Sequence, residues 1–467
     1  MADASLFFCG IGGSGMMPLA VFLARSGVRV YGSDRSYDQG KTPDKFKALE
    51  ALGIVLYPQD GSGFVENFVD RLVVSSAIEE TIPDVKAALE RSIPIVKRGA
   101  LLAELFNAAQ VGVAVAGTSG KSTTTGMIAT ALMALGHDLS FVNGGEILAL
   151  RDHEHDRFSG VRCGQSDLFV AEMDESDGSI AHYNPSVALL HNVALDHKSM
   201  EELEALFGAY LGRASRSVVV NAEQPRVMRL CAAYAEVPVV SYGIECDIDV
   251  TLRARALQPQ TQGIDFTLDY DGRSYDVRLS VAGRYNVENA LGALGVCGAL
   301  GYEIEDSIQA LQSFQGIHRR MERVGVTARG VTVLDDFAHN PDKISASLQA
   351  LKEFSGRLIV MFQPHGFGPL RLMGQEIVES FARYLDRDDI LLMPEVYYAG
   401  GTVDRSVTAQ HIVDDLAKAG VDARWFATRD EVGTFIISHA LAGDRVVVMG
   451  ARDDTLHVFA RDLFGRL

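Results

Sequence analysis

What this chain lacks narrows its chemistry before any motif is read. Its five cysteines, Cys9, Cys163, Cys231, Cys246 and Cys297, stand singly, with no C-x-x-C pair. That excludes an even disulfide framework and points to a reducing compartment. No apolar run approaches the roughly 18 residues of a membrane span, and the start, Met1-Ala-Asp-Ala, carries no positive cluster of the kind that opens a signal peptide. A cytoplasmic protein is expected. Basic residues are also too few: 43 Lys and Arg face 61 Asp and Glu, a formal charge of −18. Such a surface repels a polyphosphate backbone, so nucleic acid is excluded as a partner and only local pockets for small anions remain open. No internal repeat, heptad or low-complexity segment is present.

What is present reads as alternating strand and helix. Length alone, at 467 residues, implies about three domains on a prior of roughly 150 residues each. Residues 1–109 alternate short apolar runs ("SLFFCG", "VRVYGSD", "RLVVSSAI", "PIVKRG") with amphipathic stretches, as parallel βαβ units do. A second block, 110–318, opens at "VGVAVAG" and later turns strand-rich, with period-two alternation through "DIDVTLRARALQPQTQGIDFTLDYDGRSYDVRLSV". A third, 319–467, returns to α/β order with "VTVLDDF", "RLIVMFQ", "DDILLMPE" and "DRVVVMGARDD".

Two glycine loops carry the chemistry. In "GIGGSG", Gly10, Gly12 and Gly15 follow an apolar strand and precede a helix, and Asp34 ends the next strand. Glycines there let backbone approach a diphosphate at a helix N-terminus, whether of a dinucleotide or of another diphosphate. An NAD(P)-dependent oxidoreductase is one reading of that loop. In "VAVAGTSGKSTTTG" a G-x-x-x-x-G-K-[ST] pattern would need glycine at 115, where Val115 stands. The remaining Gly117, Thr118, Ser119, Gly120, Lys121 and Ser122 still provide strand, glycine turn and helix. Backbone amides can surround phosphates, Lys121 can offset charge on a transferred phosphoryl group, and the Ser122 hydroxyl can ligate Mg²⁺. Glu172 ends one later strand, and Asp196 and His197 end another. Carboxylates at a shared sheet edge suit a hard divalent cation.

Together "FFCGIGGSGM", "VVSSAI", "VAVAGTSGKSTTT", "VAEMDESDGS", "HNVALDH", "GRYNVENALGA", "GIHRRME" and "DDFAHNP" resemble the Mur ligases, ATP-dependent ligases of bacterial cell-wall precursor synthesis. The likeness covers nearly the whole chain, in the family's order. It implies three α/β domains: an N-terminal Rossmann-like domain for a UDP-sugar, a central P-loop ATPase-type domain, and a C-terminal Rossmann-like domain that admits an amine. The resemblance places the UDP-sugar at Gly12, Gly13, Ser14, Gly15, Ser33, Asp34, Ser75, Ser76 and Ala77. It puts Lys121 on the ATP phosphates with Gly117 to Thr123 around them. Ser122 and Glu172 fall on one Mg²⁺, and Glu172 with His197 on a second. Asn289 falls on the adenine, Arg320 and Asp336 on the nucleotide from the C-terminal side, and His339, with His365 and Arg371, on the amine.

The reaction so implied joins an amine, L-alanine or another amino acid or a murein tripeptide, to the lactyl carboxylate of UDP-N-acetylmuramate through an acyl phosphate. ADP and phosphate leave, and the expected assembly is a monomer or homodimer. Three departures from the family pattern concern substrate detail: Ser119 and Tyr285 replace histidines, and "DHKSM" replaces "DHMD". The segment "SMEELEALFGAYLGRASRSV" has no lysine, so no carbamylated lysine is expected. The histidines of "RDHEHDRF", Cys163 and the "EVYYAGG" turn read as a solvated loop, inert packing and a strand-end turn.

Overall fold

The computed structural model describes residues 4–467 apart from 76–78, 152–157, 176, 195–198, 261–262, 399–403, 452 and 454. The chain divides into two compact units: Met1–Gln258 with Ile264–Val281 and Tyr285–Gln315, and Gly316–Leu467 with two short segments, Pro259–Gly263 and Ala282–Arg284. Three sheets, each mainly parallel, of five, ten and six strands organise them.

The first sheet runs, edge to edge, Val55–Tyr57, Arg29–Ser33, Ser5–Cys9, Arg71–Val74 and Ile95–Lys97, all parallel. Ser5–Cys9 is wholly buried, and its side chains alternate between two cores. Leu6 and Phe8 join the cluster under the helix Met16–Arg25, while Phe7 and Cys9 join Phe64, Val69 and Leu72 on the other face. A strand covered on both faces needs an unbroken apolar run, which "LFFC" supplies. Crossovers leave this strand in both directions, so a crevice opens beyond its C-terminal end, where the first glycine loop lies.

In the second sheet Val111–Ala116 lies between Leu168–Glu172 and Val187–Leu190, parallel to both. Val115 pairs with Glu172, and Ala116 with Leu190, so the ends of all three strands fall on one edge. The period-two stretch supplies the far end of the sheet, with Gly263–Tyr270 and Arg273–Leu279 antiparallel in full register. A single hydrophobic cluster spans the first two sheets, with the Phe22 ring stacked 5.3 Å from that of Phe169. Arg25 reinforces the join by donating to the Val161 carbonyl at 2.6 Å.

The third sheet orders Glu322–Val326, Thr332–Asp336, Arg445–Gly450, Leu358–Gln363, Ile390–Pro394 and Asp422–Phe426, with only the first strand antiparallel. It has its own cores, one on each face. Among the described residues, no helix is long and apolar enough to cross a membrane.

Candidate active site

The first glycine loop is braced by its own acid. Asp34 accepts from the Gly12 amide at 2.9 Å through one carboxylate oxygen and from the Ser36 amide at 2.8 Å through the other. The Ser33 hydroxyl is turned inward, donating at 2.5 Å to Asp84, whose second oxygen takes the Gly61 amide. Burial raises the Asp84 pKa. Gly13, Ser14 and Gly15 continue the loop into the helix, and Ser75 follows the strand Arg71–Val74 on the same side of the sheet. Ser76 and Ala77 lie outside the described residues. Arg98 covers the third glycine: a Cβ at Gly15 would stand 3.1 Å from its Cδ. Its guanidinium reaches Asp177 at 2.9 Å and Asp174 at 3.3 Å, both just beyond Glu172. One arginine therefore links the first glycine loop to the segment that follows Glu172.

The second loop is built as the spacing requires. Gly117 and Gly120 hold φ of 135° and 86°, values that side-chain-bearing residues rarely adopt. Gly120 opens the helix Lys121–Ala134, whose first amides face the loop. Segment 191–194 clamps the loop from the side. Asn192 takes the Ser119 amide at 2.9 Å through its side chain and the Thr118 amide at 3.2 Å through its carbonyl, and the Ala194 amide donates to the Thr118 hydroxyl at 2.9 Å. Ser119 is thus held through its backbone, and a side chain as small as serine suffices. Lys121 Nζ donates to the Gly117 carbonyl at 2.6 Å and to Glu175 at 3.0 Å. Glu175 is only 4% exposed.

Ser122 is buried at the start of the same helix, with Thr123 beside it. Glu172 carries one carboxylate oxygen, Oε2, that is buried with no hydrogen-bond partner among the described residues. Its other oxygen would be 2.1 Å from a Cβ at Gly144, so glycine there leaves the carboxylate its space. A buried, unpartnered carboxylate oxygen beside a phosphate-type loop is the donor that a hard cation needs, and these residues fit Mg²⁺. Asp196 and His197 lie outside the described residues.

Asn289, the residue expected at the adenine, lies beneath the second loop. It is 4% exposed; its Oδ1 accepts from the Thr124 hydroxyl at 3.2 Å and its Nδ2 donates to Asn286 at 3.2 Å. Both ends of the amide face inward because Thr124, one turn beyond the loop, offers a buried hydroxyl that needs a partner.

The second unit gathers Arg320, Asp336, His339 and His365 at the C-terminal edge of the third sheet. Asp336 ends its strand buried, accepting from the Ser347 hydroxyl at 2.5 Å and the Met321 amide at 3.2 Å, and burial raises its pKa. Arg320 lies over the Phe337 ring, 5.3 Å from its centroid, while the adjacent Arg319 is buried against Asp335 at 3.2 Å. His339 and His365 meet edge to face at 5.2 Å. His339 Nδ1 donates to the Phe337 carbonyl at 2.8 Å, and burial, with Lys343 nearby, lowers its pKa to about 3. Arg371 is exposed on the helix Phe367–Tyr384 and bound to Asp404 at 2.8 Å. Burial raises the Cys163 pKa, in keeping with packing.

Sequence reasoning passed over Glu175, Arg98, His191 and Asn192. Glu175 and His191 sit inside the quoted motifs "VAEMDESDGS" and "HNVALDH", so the signal lay in position within a motif. Arg98 had none.

Three family models match successive stretches: "Mur ligase family, catalytic domain" over residues 6–110, "Mur ligase middle domain" over 115–297, and "Mur ligase, glutamate ligase domain" over 319–452. The chain is 34% identical to the UDP-N-acetylmuramate–L-alanine ligase of Streptomyces griseus, covering 96% of this chain and 94% of that one. Its structure is similar to that of the UDP-N-acetylmuramate–alanine ligase of Thermotoga maritima, with a TM-score of 0.80 and 25% identity over 99% of this chain and 98% of that one. It also shares the fold of a murein peptide ligase from Psychrobacter arcticus, with a TM-score of 0.72 and 23% identity over 100% and 99% of the two chains.

Proposed function

Because the chain belongs to the Mur ligase family and is an ATP-dependent acid–amino-acid ligase, we propose that it joins L-alanine to the lactyl carboxylate of UDP-N-acetylmuramate. The carrying observation is the loop edge of the second sheet: Gly117, Gly120 and Lys121 share it with Glu172, whose Oε2 is buried without a partner among the described residues. The 34% identity to an alanine ligase over almost the full length supports the choice of acceptor and amine.

A carboxylate is a poor acylating agent. Transfer of the γ-phosphoryl group of ATP to it gives an acyl phosphate, which the amine attacks to form the amide and release phosphate. In this reading the first glycine loop, braced by Asp34, holds the UDP-sugar diphosphate, and Ser75 lies nearby. The amides of Gly117 to Thr123 hold the ATP phosphates. Lys121 exchanges Glu175 for a phosphate oxygen and offsets the charge of the transferring group. Ser122 and Glu172, with His197, would hold Mg²⁺, which supplies further positive charge at the phosphates. Arg320 and Asp336 are read as nucleotide residues, as the family resemblance implies. His339, uncharged at neutral pH, and His365 serve the amine; Arg371 and Asp404 form an exposed pair of small energetic weight.

The test is ADP release with UDP-N-acetylmuramate, ATP and Mg²⁺ across a set of amines that includes L-alanine, other amino acids and the murein tripeptide. Release that requires both the sugar nucleotide and L-alanine is expected. Release with the tripeptide alone would reassign the amine, and release without any amine requirement would overturn the reading.

A further inference from the structure

Beneath the second glycine loop lies a buried chain of polar groups that the phosphate chemistry does not itself use. His191, fully enclosed at the end of the strand Val187–Leu190, is bonded on both ring nitrogens: Nδ1 lies 2.5 Å from the Tyr242 hydroxyl, and Nε2 lies 2.6 Å from the Thr124 hydroxyl. The proton directions follow from the ends. Thr124 donates to Asn289 Oδ1, and Asn289 in turn donates to Asn286 Oδ1. With its one proton spent on Asn289, the Thr124 oxygen must accept from the imidazole, so His191 carries its proton on Nε2. Nδ1 is then an acceptor, and Tyr242 donates to it. Burial keeps the phenol protonated and the imidazole neutral, raising the first pKa well above its usual value and lowering the second to about 3. Lys121 is the charged group felt at His191, and Glu288 and Glu223 are those felt at Tyr242.

The chain ends on the parts that meet phosphate. Thr124 lies one helical turn after Lys121, and its amide donates to the Gly120 carbonyl at 3.0 Å. A Cβ at Gly120 would stand 2.5 Å from Asn289 Oδ1, so the left-handed residue of the loop rests directly on this chain. Gly292 makes room for the imidazole: a Cβ there would be 2.9 Å from His191 Cε1. Four elements that are remote in sequence thus contribute to one chain, with His191 and Asn289 meeting at the Thr124 hydroxyl.

We propose that Tyr242, His191, Thr124 and Asn289 form a one-directional hydrogen-bond relay that fixes the first turn of the loop helix, so that Thr124 and His191 are positioning residues for ATP. The proposal rests on the ATP-dependent reading of this loop. Hydrogen bonds running head to tail in a low-dielectric interior polarise one another, and each link left unmade costs more than the link itself contributes.

The test compares Thr124→Val, Thr124→Ser and Tyr242→Phe with the wild type. Binding of Mg²⁺ with a non-hydrolysable ATP analogue and binding of UDP-N-acetylmuramate are measured by calorimetry, and KM and kcat by ADP release. Valine keeps the shape but leaves His191 Nε2 and Asn289 Oδ1 without a partner. It is expected to weaken nucleotide binding and raise KM for ATP by about 10- to 100-fold, with UDP-sugar affinity unchanged. Serine is expected to restore binding to within about threefold, and Tyr242→Phe to weaken it by a smaller factor. In ¹⁵N-histidine-labelled protein at a pH that protonates exposed histidines, one histidine should keep the neutral Nε2–H form, and in Tyr242→Phe its Nδ1 resonance should shift on losing the donated hydrogen bond while Nε2 stays protonated. Nucleotide affinity within twofold of wild type in both Thr124→Val and Tyr242→Phe would overturn the relay. If Thr124→Val does not fold, Thr124→Ser and Tyr242→Phe decide. A wild type that binds UDP-sugar but no nucleotide would instead overturn the ATP reading.

Discussion

Lys121 is held in two ways at once, by the carbonyl of its own loop and by the carboxylate of Glu175. A phosphate arriving at the loop must compete with that carboxylate for the ammonium group, and in a buried site such competition is not screened by water. Glu175→Gln removes the competitor while leaving a neutral acceptor. We expect ATP binding to tighten by roughly three- to tenfold, in keeping with a net charge-assisted hydrogen bond of about 1 kcal/mol, as read by calorimetric titration. Weaker binding would mean that Glu175 instead orients the lysine. Lys121 and Glu172 were legible in the sequence, because a glycine turn followed by Lys-Ser and an acid ending an apolar strand are local patterns. Glu175 was not, since a carboxylate three residues past a strand end has no fixed direction until the loop is folded.

At the scale of elements, the loop and helix from Val113 to Gly126 depend on a left-handed residue. Gly120 has a φ of 86° and no space for a side chain on the side of Asn289. Gly120→Ala therefore meets two penalties, a strained backbone of about 1–2 kcal/mol and displacement of a buried amide. Nucleotide affinity should fall at least tenfold, while UDP-N-acetylmuramate, proposed to bind the separate loop at Gly12 to Gly15, should bind as before. Equilibrium titration with each ligand distinguishes this from general unfolding. Val115 presents no defect in the same element: it is a wholly buried strand residue paired with Glu172. The strand, turn and helix were readable from apolar runs and glycines. That Val111–Ala116 lies between Leu168–Glu172 and Val187–Leu190 was not, because strand order is set by which crossovers pack, and many orders satisfy the same pattern of elements.

For the whole molecule, the first two sheets share one hydrophobic cluster, whereas the third has its own. Cooperative unfolding follows shared cores, so three domains should melt as two units. Scanning calorimetry is expected to show two transitions. UDP-N-acetylmuramate at about 100 times its Kd should stabilise the first unit alone by about 2.7 kcal/mol. A single transition, or an equal shift of both, would contradict this division.

The sequence by itself determined the α/β class, the two glycine loops and the family, since each is written in local spacing: apolar runs for buried strands, glycines where backbone must turn left-handed or pack closely. Only the tertiary structure decided what stands behind those loops. Asn289 turned inward to Thr124, Glu175 closed on Lys121, Arg98 tied the first loop to Asp174 and Asp177, and His339 met His365. Such pairings depend on distances between residues tens to hundreds of positions apart. Burial then makes them obligatory, because a polar group removed from water must find its partner in whatever chain the fold has brought beside it.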